Sequence, residues 1–248
     1  RVGLYLQNCP QYPMAHYAVQ MLGAIASPLN PQYKDAEVEY QLSNAETRAV
    51  IVGEDLLATV QRVQPNVPGL EIVVSAAYAD YLPDEPTDFL RERYPAEGDV
   101  VDLSSILQDN QPLPEAEPVD LWKDISLMTF TSGTTGRPKG AMLTFGSALY
   151  KTAASMMANQ VEGDGCSLAI APFCHIAGMN SGVYMPVYTR RTTVILPRFD
   201  PETVVRAFEV YRCDMWYSIA PMLRAILDMP GIEQRDLTCI RNNPATSF

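Results

Sequence analysis

The sequence predicts an α/β fold of largely parallel sheets flanked by helices, divided into two subdomains. Three observations carry this. Short β-branched or apolar runs alternate with stretches of helical periodicity along all 248 residues. Alternation of that kind lays successive strands side by side in parallel and covers the sheet faces with the intervening helices. The turn signal Glu162-Gly163-Asp164-Gly165 then cuts the alternation in two. We expect a first subdomain over residues 1–160 and a second over residues 165–248.

The elements follow in order. Residues 2–6 are a short apolar run read as a strand. Pro10 and Pro13 open the next stretch, in which Met14, Ala18, Met21, Leu22 and Ile25 recur at helical spacing. Residues 26–29 read as the second strand. Asp35 stands where it could cap a helix carrying Val38 and Leu42, and Ala49-Val50-Ile51-Val52, ended by Gly53, reads as the third strand. A helix over 56–63 and a strand over 70–74 come next. Residues 125–131 read as a buried strand, 141–143 as a short apolar one and 145–158 as a helix. Past the turn come a strand at 166–171, an apolar helix at 176–188 and a strand at 192–196. Asp200 and Pro201 are the residue types of an N-cap and a first helical position. A strand at 215–219 and a helix at 221–227 complete the pattern, and no internal repeat is visible.

With 47% hydrophobic and 19% charged residues the chain has the composition of a soluble globular protein, which excludes disorder, collagen-like repeats and disulfide minidomains. Spread evenly, the formal net charge of -11 would speak against nucleic acid and anionic membranes, because phosphate contacts need a basic face, and no nucleic-acid partner is expected. That charge is concentrated. Between Asp80 and Asp120 twelve acidic residues face only Arg91 and Arg93, and six prolines fall in the same stretch. Residues 80–120 therefore read as a solvated acidic loop with at most short helical turns. Cys9, Cys166, Cys174, Cys213 and Cys239 are odd in number and contain no C-x-x-C, which fits reduced thiols used as core fillers in a cytoplasmic protein. No residue is assigned to a metal, and no apolar run of about 18 residues marks an integral membrane segment. Residue 1 is Arg and residues 242–248 read as mid-fold sequence, so we expect a piece of a longer chain.

One stretch departs from this ordinary pattern. In residues 131–140, Thr-Ser-Gly-Thr-Thr-Gly-Arg-Pro-Lys-Gly, the hydroxyls of Thr131, Ser132, Thr134 and Thr135 are donors. Gly133 and Gly136 let backbone N–H groups close around an anion, and Arg137 and Lys139 add positive charge. Lys139 is one of only four lysines, so its position is informative. Composition alone leaves two readings: a phosphate cradle, or a Gly/Thr-rich hairpin loop between strands. It is not a Walker A loop, since Gly136 is followed by Arg-Pro-Lys-Gly rather than by Lys and a hydroxyl residue.

Those ten consecutive residues resemble the phosphate-binding signature of the adenylate-forming superfamily, in its fatty-acid and acyl-CoA ligase branch. Residues 22–31, Leu-Gly-Ala-Ile-Ala-Ser-Pro-Leu-Asn-Pro, with Glu39-Tyr-Gln-Leu42 beyond them, look like another of its segments. Pro172-Phe-Cys-His-Ile-Ala-Gly-Met179 is similar to its Pro-x-x-His-x-x-Gly stretch beside the acyl or aryl pocket. The resemblance implies two stacked subdomains of the family's N-terminal domain, the second incomplete. It also implies a two-step reaction, in which a carboxylate attacks the α-phosphate of ATP and the acyl-adenylate then passes to the thiol of CoA, with Mg2+ on the phosphate oxygens.

Residue roles follow from the same resemblance. Thr131, Ser132, Gly133, Thr134, Thr135 and Gly136 would surround the β- and γ-phosphates, with Lys139 as a charge at the loop exit. His175 would border the carboxylate; the residues alone favour a core or helix-start histidine satisfied by backbone, and the resemblance reverses that preference. Thr246, Ser247 and Phe248 would approach the nucleotide, in a stretch that departs from the family's Gly-Gly-Ala run. No acid stands at the start of the pocket helix to hold an ammonium group, so a free amino acid is not expected; Ile176, Met179, Val183 and Met185 would line a pocket for an apolar acyl or aryl tail, with a fatty acid as the leading reading. His16 carries no role. The 248 residues lack the family's Tyr-Gly-x-Thr-Glu segment, ribose-binding Asp and C-terminal Lys, so they are expected not to turn over alone. Transfer to another thiol acceptor, or a nucleotide-binding module without catalysis, is the competing reading.

Overall fold

The computed structural model describes residues 1–82, 99–112, 115–131, 137–161 and 163–243. Two compact units divide the chain, Arg1–Ser147 and Ala148–Phe248.

The first unit is built on one sheet. Strand β1 (Val2–Tyr5) leads through helix α1 (Gln11–Met21) to β2 (Ala26–Pro28), then through α2 (Asp35–Asn44) to β3 (Ala49–Gly53). Helix α3 (Glu54–Val63) leads to β4 (Ile72–Ala76), and β5 (Val101–Asp102) is followed directly by α4 (Leu103–Asp109). Strands β6 (Ile125–Thr131) and β7 (Lys139–Thr144) close the unit as an antiparallel pair. The sheet order is β5-β4-β3-β1-β2-β6-β7, with every pair but the last parallel. Chain order leaves β1 towards β2 on one side and continues from β3 towards β4 on the other. In such sheets ligands bind beyond the carboxyl ends of the strands.

Burial explains why these runs become strands. Val50 and Val52 of β3, Val38 and Leu42 of α2, and Leu57, Val60 and Val63 of α3 form one apolar cluster with Tyr5 and Leu29. Each aliphatic side chain removed from water stabilises the unit by roughly 1.5–3 kcal/mol. Gly3 lies under this layer: a Cβ on it would stand 3.1 Å from Val50 and 3.3 Å from Leu29 and Leu42.

Two details differ from the sequence expectation. Asp35 is the first residue of α2 rather than its cap. Lys34 takes the extended cap conformation, its backbone N–H donating to the Glu37 carboxylate at 3.0 Å, while Asp35 turns outward to a two-pronged pair with Arg62, both contacts at 2.8 Å. Part of the acidic stretch is also regular. Val101–Asp102 joins the edge of the sheet against β4, and the Asp102 carboxylate caps α4 by accepting from the Ser105 N–H at 3.0 Å.

In the second unit β8 (Cys166–Ala169) lies between β9 (Thr192–Ile195) and β10 (Met215–Trp216), all parallel. Helix α5 (Phe145–Ala158) precedes them and crosses the division between the units. Between β8 and β9 one helical run comprises α6 (Ile176–Gly178), a π-helical stretch (Met179–Tyr184) and α7 (Met185–Thr189). Helix α8 (Pro201–Tyr211) starts as its sequence predicts, the Asp200 carboxylate accepting from the Thr203 N–H at 2.8 Å with Pro201 in the first turn. Helix α9 (Ala220–Leu227) follows β10. Leu168, Val204, Val205, Phe208, Trp216 and Ile226 make the core, with the Phe208 and Trp216 rings edge to face at 5.5 Å. Cys9, Cys174 and Cys213 are buried as fillers; Cys166 and Cys239 are not, being half-exposed along a cleft.

Candidate functional site

The Gly/Thr-rich loop joins β6 to β7, so it springs from a strand end at the carboxyl edge of the parallel strands. The hairpin reading and the cradle reading thus share one frame. Thr131 pairs with Lys139 in the last register position before the loop, and the Thr131 hydroxyl reaches the Lys139 carbonyl at 3.5 Å. Gly140 allows the two strands to close up, since a Cβ there would stand 3.0 Å from Met128 and 3.3 Å from Phe130. Ser132, Gly133, Thr134, Thr135 and Gly136 lie outside the described residues, as do Thr246, Ser247 and Phe248.

The loop exit is cationic. Arg137 and Lys139 are both exposed, and neither has an acidic partner among the described residues. Lys139 is placed by its register with Thr131, and Tyr40 on α2 braces the two residues before it. Its hydroxyl donates to the Pro138 carbonyl at 2.8 Å, and the Arg137 guanidinium lies over its ring, 5.4 Å from the centroid. Sequence reading passed over this residue. Tyr40 stood in the quoted Glu39-Tyr-Gln-Leu42 run, but its contact spans 98 positions and left no local trace. The pair of contacts fixes the exit while leaving the two charges facing water, an arrangement suited to a polyanion.

His175 belongs to the second unit. It is the cap residue of α6, exposed, with extended backbone and no side-chain hydrogen bond to the helix. Its N–H donates to the Pro172 carbonyl at 3.0 Å, and its carbonyl accepts from the Met179 N–H at 2.8 Å. The imidazole is therefore held at the surface by its backbone rather than satisfied in the core. The spacing of the motif has a steric reason. A Cβ on Gly178 would stand 2.5 Å from the Ala171 carbonyl oxygen and closer still to that of Pro172. One turn later, a Cβ on Gly182 would stand 2.8 Å from Cζ of the buried Phe173 ring. Met179, Val183 and Met185 turn inward and are each 1% exposed, whereas Ile176 turns outward at 44%. Ile176, the first residue of α6, thus parts from the other three residues expected to line one apolar surface. No group of three His, Cys, Asp or Glu that could hold a metal ion occurs among the described residues.

A family described as AMP-binding enzyme matches residues 1–242. Among curated relatives, a long-chain-fatty-acid–CoA ligase of Bacillus subtilis (strain 168) is 28% identical over 254 residues, covering 98% of this chain and 45% of that protein. A feruloyl-CoA synthase of an Amycolatopsis species is 28% identical over 242 residues, covering 97% and 43%. The crystal structure of the anthranilate CoA ligase AuaEII in complex with anthranoyl-AMP superposes with a TM-score of 0.83 at 21% identity, covering 97% of this chain and 44% of that one. This last likeness concerns the fold. The chain spans less than half the length of each of these proteins.

Proposed function

The chain belongs to the AMP-binding enzyme family, and from that premise we propose that the protein carrying it is an AMP-forming carboxylate:CoA ligase whose acid is a fatty acid. The observation that carries the reading is the loop exit, where Arg137 and Lys139 are exposed cations without acidic partners among the described residues and Tyr40 braces Arg137 and Pro138 on a family-like phosphate loop. A site that must hold a triphosphate and then release pyrophosphate needs positive charge that is fixed beforehand and not already neutralised.

In this proposal Thr131, with Ser132, Gly133, Thr134, Thr135 and Gly136, holds the β- and γ-phosphates, and Lys139 balances the charge that builds as pyrophosphate leaves. The α-phosphate is attacked by the acid's carboxylate, which His175 borders, and the thiol of CoA then displaces AMP from the acyl-adenylate. Thr246, Ser247 and Phe248 are assigned to the nucleotide. Mg2+ is assigned to the phosphate oxygens, where it would neutralise charge; Lys139 and Arg137 supply cations of the same sign beside it. Met179, Val183 and Met185 give the helix after His175 a flexible apolar interior of the kind that suits an aliphatic tail.

Exchange of labelled pyrophosphate into ATP by the full-length protein tests this, with aliphatic acids of increasing length and with hydroxycinnamic acids. Exchange dependent on aliphatic acids is the expected result. Exchange only with the aromatic acids would transfer the assignment to the aryl class, to which the feruloyl-CoA synthase belongs by name. No exchange with any acid, despite measurable ATP binding, would leave a nucleotide-binding module and overturn the enzyme reading.

A further inference from the structure

The thiols of Cys166 and Cys213 stand 3.3 Å apart in the second unit, with no role in the chemistry proposed above. Their closeness is built into the sheet. Cys166 begins β8, Cys213 precedes β10 by two residues, and the Asp214 N–H donates to the Cys166 carbonyl at 2.9 Å. The Asp214 carbonyl in turn accepts from the Arg241 and Asn242 N–H groups at 2.8 and 3.0 Å. Its carboxylate pairs with Arg191, whose side chain is 4% exposed and also donates to the Ser167 hydroxyl at 3.1 Å. Two backbone segments pinned this way keep the sulfurs in contact whatever the surface loops do.

The two thiols differ in access. Cys166 lines a cleft of about 390 Å³ together with Asp164, Arg212, Asp214, Cys239 and Arg241, whereas Cys213 is 0% exposed and behind it. The third nearby thiol, Cys239, is directed to the Phe208 carbonyl at 3.5 Å. Cys9 and Cys174 are buried and have no sulfur partner among the described residues. We propose that Cys166 and Cys213 are a peroxide-responsive dithiol, in which a hydroperoxide entering the cleft oxidises Cys166 and Cys213 resolves it to a disulfide.

The atoms balance in two steps. Cys166 sulfur attacks the distal oxygen of the hydroperoxide, the O–O bond breaks, and the alcohol, or water from hydrogen peroxide, leaves with the Cys166 proton, giving a sulfenic acid. Cys213 sulfur then attacks the sulfenic sulfur, the S–O bond breaks, and water leaves with the Cys213 proton. Two electrons pass from the thiol pair to the peroxide. The sulfurs must close from 3.3 Å to about 2.05 Å, a movement within reach of side-chain rotation. The disulfide would tie the start of β8 to the residue leading into β10 and close a loop that contains α6, α7, β9 and α8. The assignment does not depend on the ligase reading.

Treatment of the full-length protein with hydrogen peroxide, alkylation of the remaining thiols and peptide mapping by mass spectrometry, read at the five cysteines of these 248 residues, test it. The expected result is a peptide linking Cys166 to Cys213, three alkylated cysteines out of five, and full reversal by dithiothreitol. C166S, at the half-exposed position, should lose the cross-link and retain four free thiols. C213A should leave a sulfenic acid at Cys166 that dimedone traps. Because Cys213 is fully buried and its variant could fail to fold, the wild-type map decides by itself. A cross-link through Cys239, recovery of Cys166 as a free thiol, or its conversion to sulfinic acid without a cross-link would each overturn the proposal.

Discussion

The exit of the phosphate-type loop and the segment around His175 solve the same problem by opposite means. At the loop exit the side chains that matter are exposed, and one tyrosine braces Pro138 by a hydrogen bond and Arg137 by a ring contact. Around His175 the exposed imidazole sits on backbone that two glycines hold against carbonyl oxygens and a phenylalanine ring with no free space. The first arrangement can be weakened in small steps. The second has no intermediate settings, because overlap with main-chain atoms cannot be relieved by a rotamer change.

The strongest way to break this contrast is Gly178→Ala. Its added methyl overlaps the Ala171 and Pro172 carbonyls, and we expect about 3 kcal/mol of destabilisation, read as a lowered denaturation midpoint. An unfolding free energy within about 0.5 kcal/mol of the parent's, the limit for neutral surface changes, would remove the steric account. Lys139→Ala should do the reverse. Removing an exposed cation that has no acidic partner among the described residues should leave stability within the same approximate limit, yet lower pyrophosphate exchange in the full-length protein by about 10²-fold. Loss of stability without loss of exchange would make Lys139 a structural residue.

Acidification sharpens the comparison from the side of the first unit. Burial lowers the pKa of His16 on α1 from 6.5 to about 4. Between those values the unfolded chain binds a proton that the folded chain does not, so this contribution is complete above pH 6.5 and declines as pH falls towards 4, by up to about 1.4 kcal/mol per pH unit. Corrected for the slower intrinsic exchange in acid, the protection of α1 amides should fall as pH drops through that window, and in His16→Leu the dependence should flatten. A parent protein with pH-independent α1 protection would contradict the burial argument. The smallest effect belongs to Tyr40→Phe, which deletes the hydrogen bond to Pro138 and keeps the ring under Arg137. A cost of about 1 kcal/mol should appear as a few-fold rise in the KM for ATP with little change in kcat, and an unchanged KM would show that the loop exit is held by other means.

Much of the fold could be read from periodicity, because burial against one sheet face imposes it. The run Ala49-Val50-Ile51-Val52 became β3, residues 145–158 became α5 in full, and Asp200-Pro201 opened α8 by the mechanism its residue types imply. The failures are equally physical. Val101–Asp102 is too short to carry a pattern and becomes a strand only because β4 offers an unpaired edge. Asp35 lost the cap to Lys34 because Arg62, 27 positions away, takes its carboxylate. At the candidate site the cation at Lys139 and the motif containing His175 were visible in residue order, whereas the contact of Tyr40 was not, since a contact across nearly one hundred residues has no period.

The widened stretch at Met179–Tyr184 gives the second unit an uneven tolerance of insertions and deletions. A π-helical turn accommodates one more residue than an α-helical turn while the flanking helix keeps its phase. Within it the Ser181 hydroxyl donates to the Ala177 carbonyl at 3.0 Å, and Asn180 receives the Thr152 hydroxyl at 3.1 Å. Loss of one residue from this stretch can be absorbed as an ordinary α-helical turn, with Ile176 and Met185 keeping their faces. The same loss inside Met185–Thr189 rotates everything beyond it by about 100° and misaligns the left-handed turn at Arg190 that leads into β9. The wide turn is the place in this helical run where chain length can change without changing which side chains face inward.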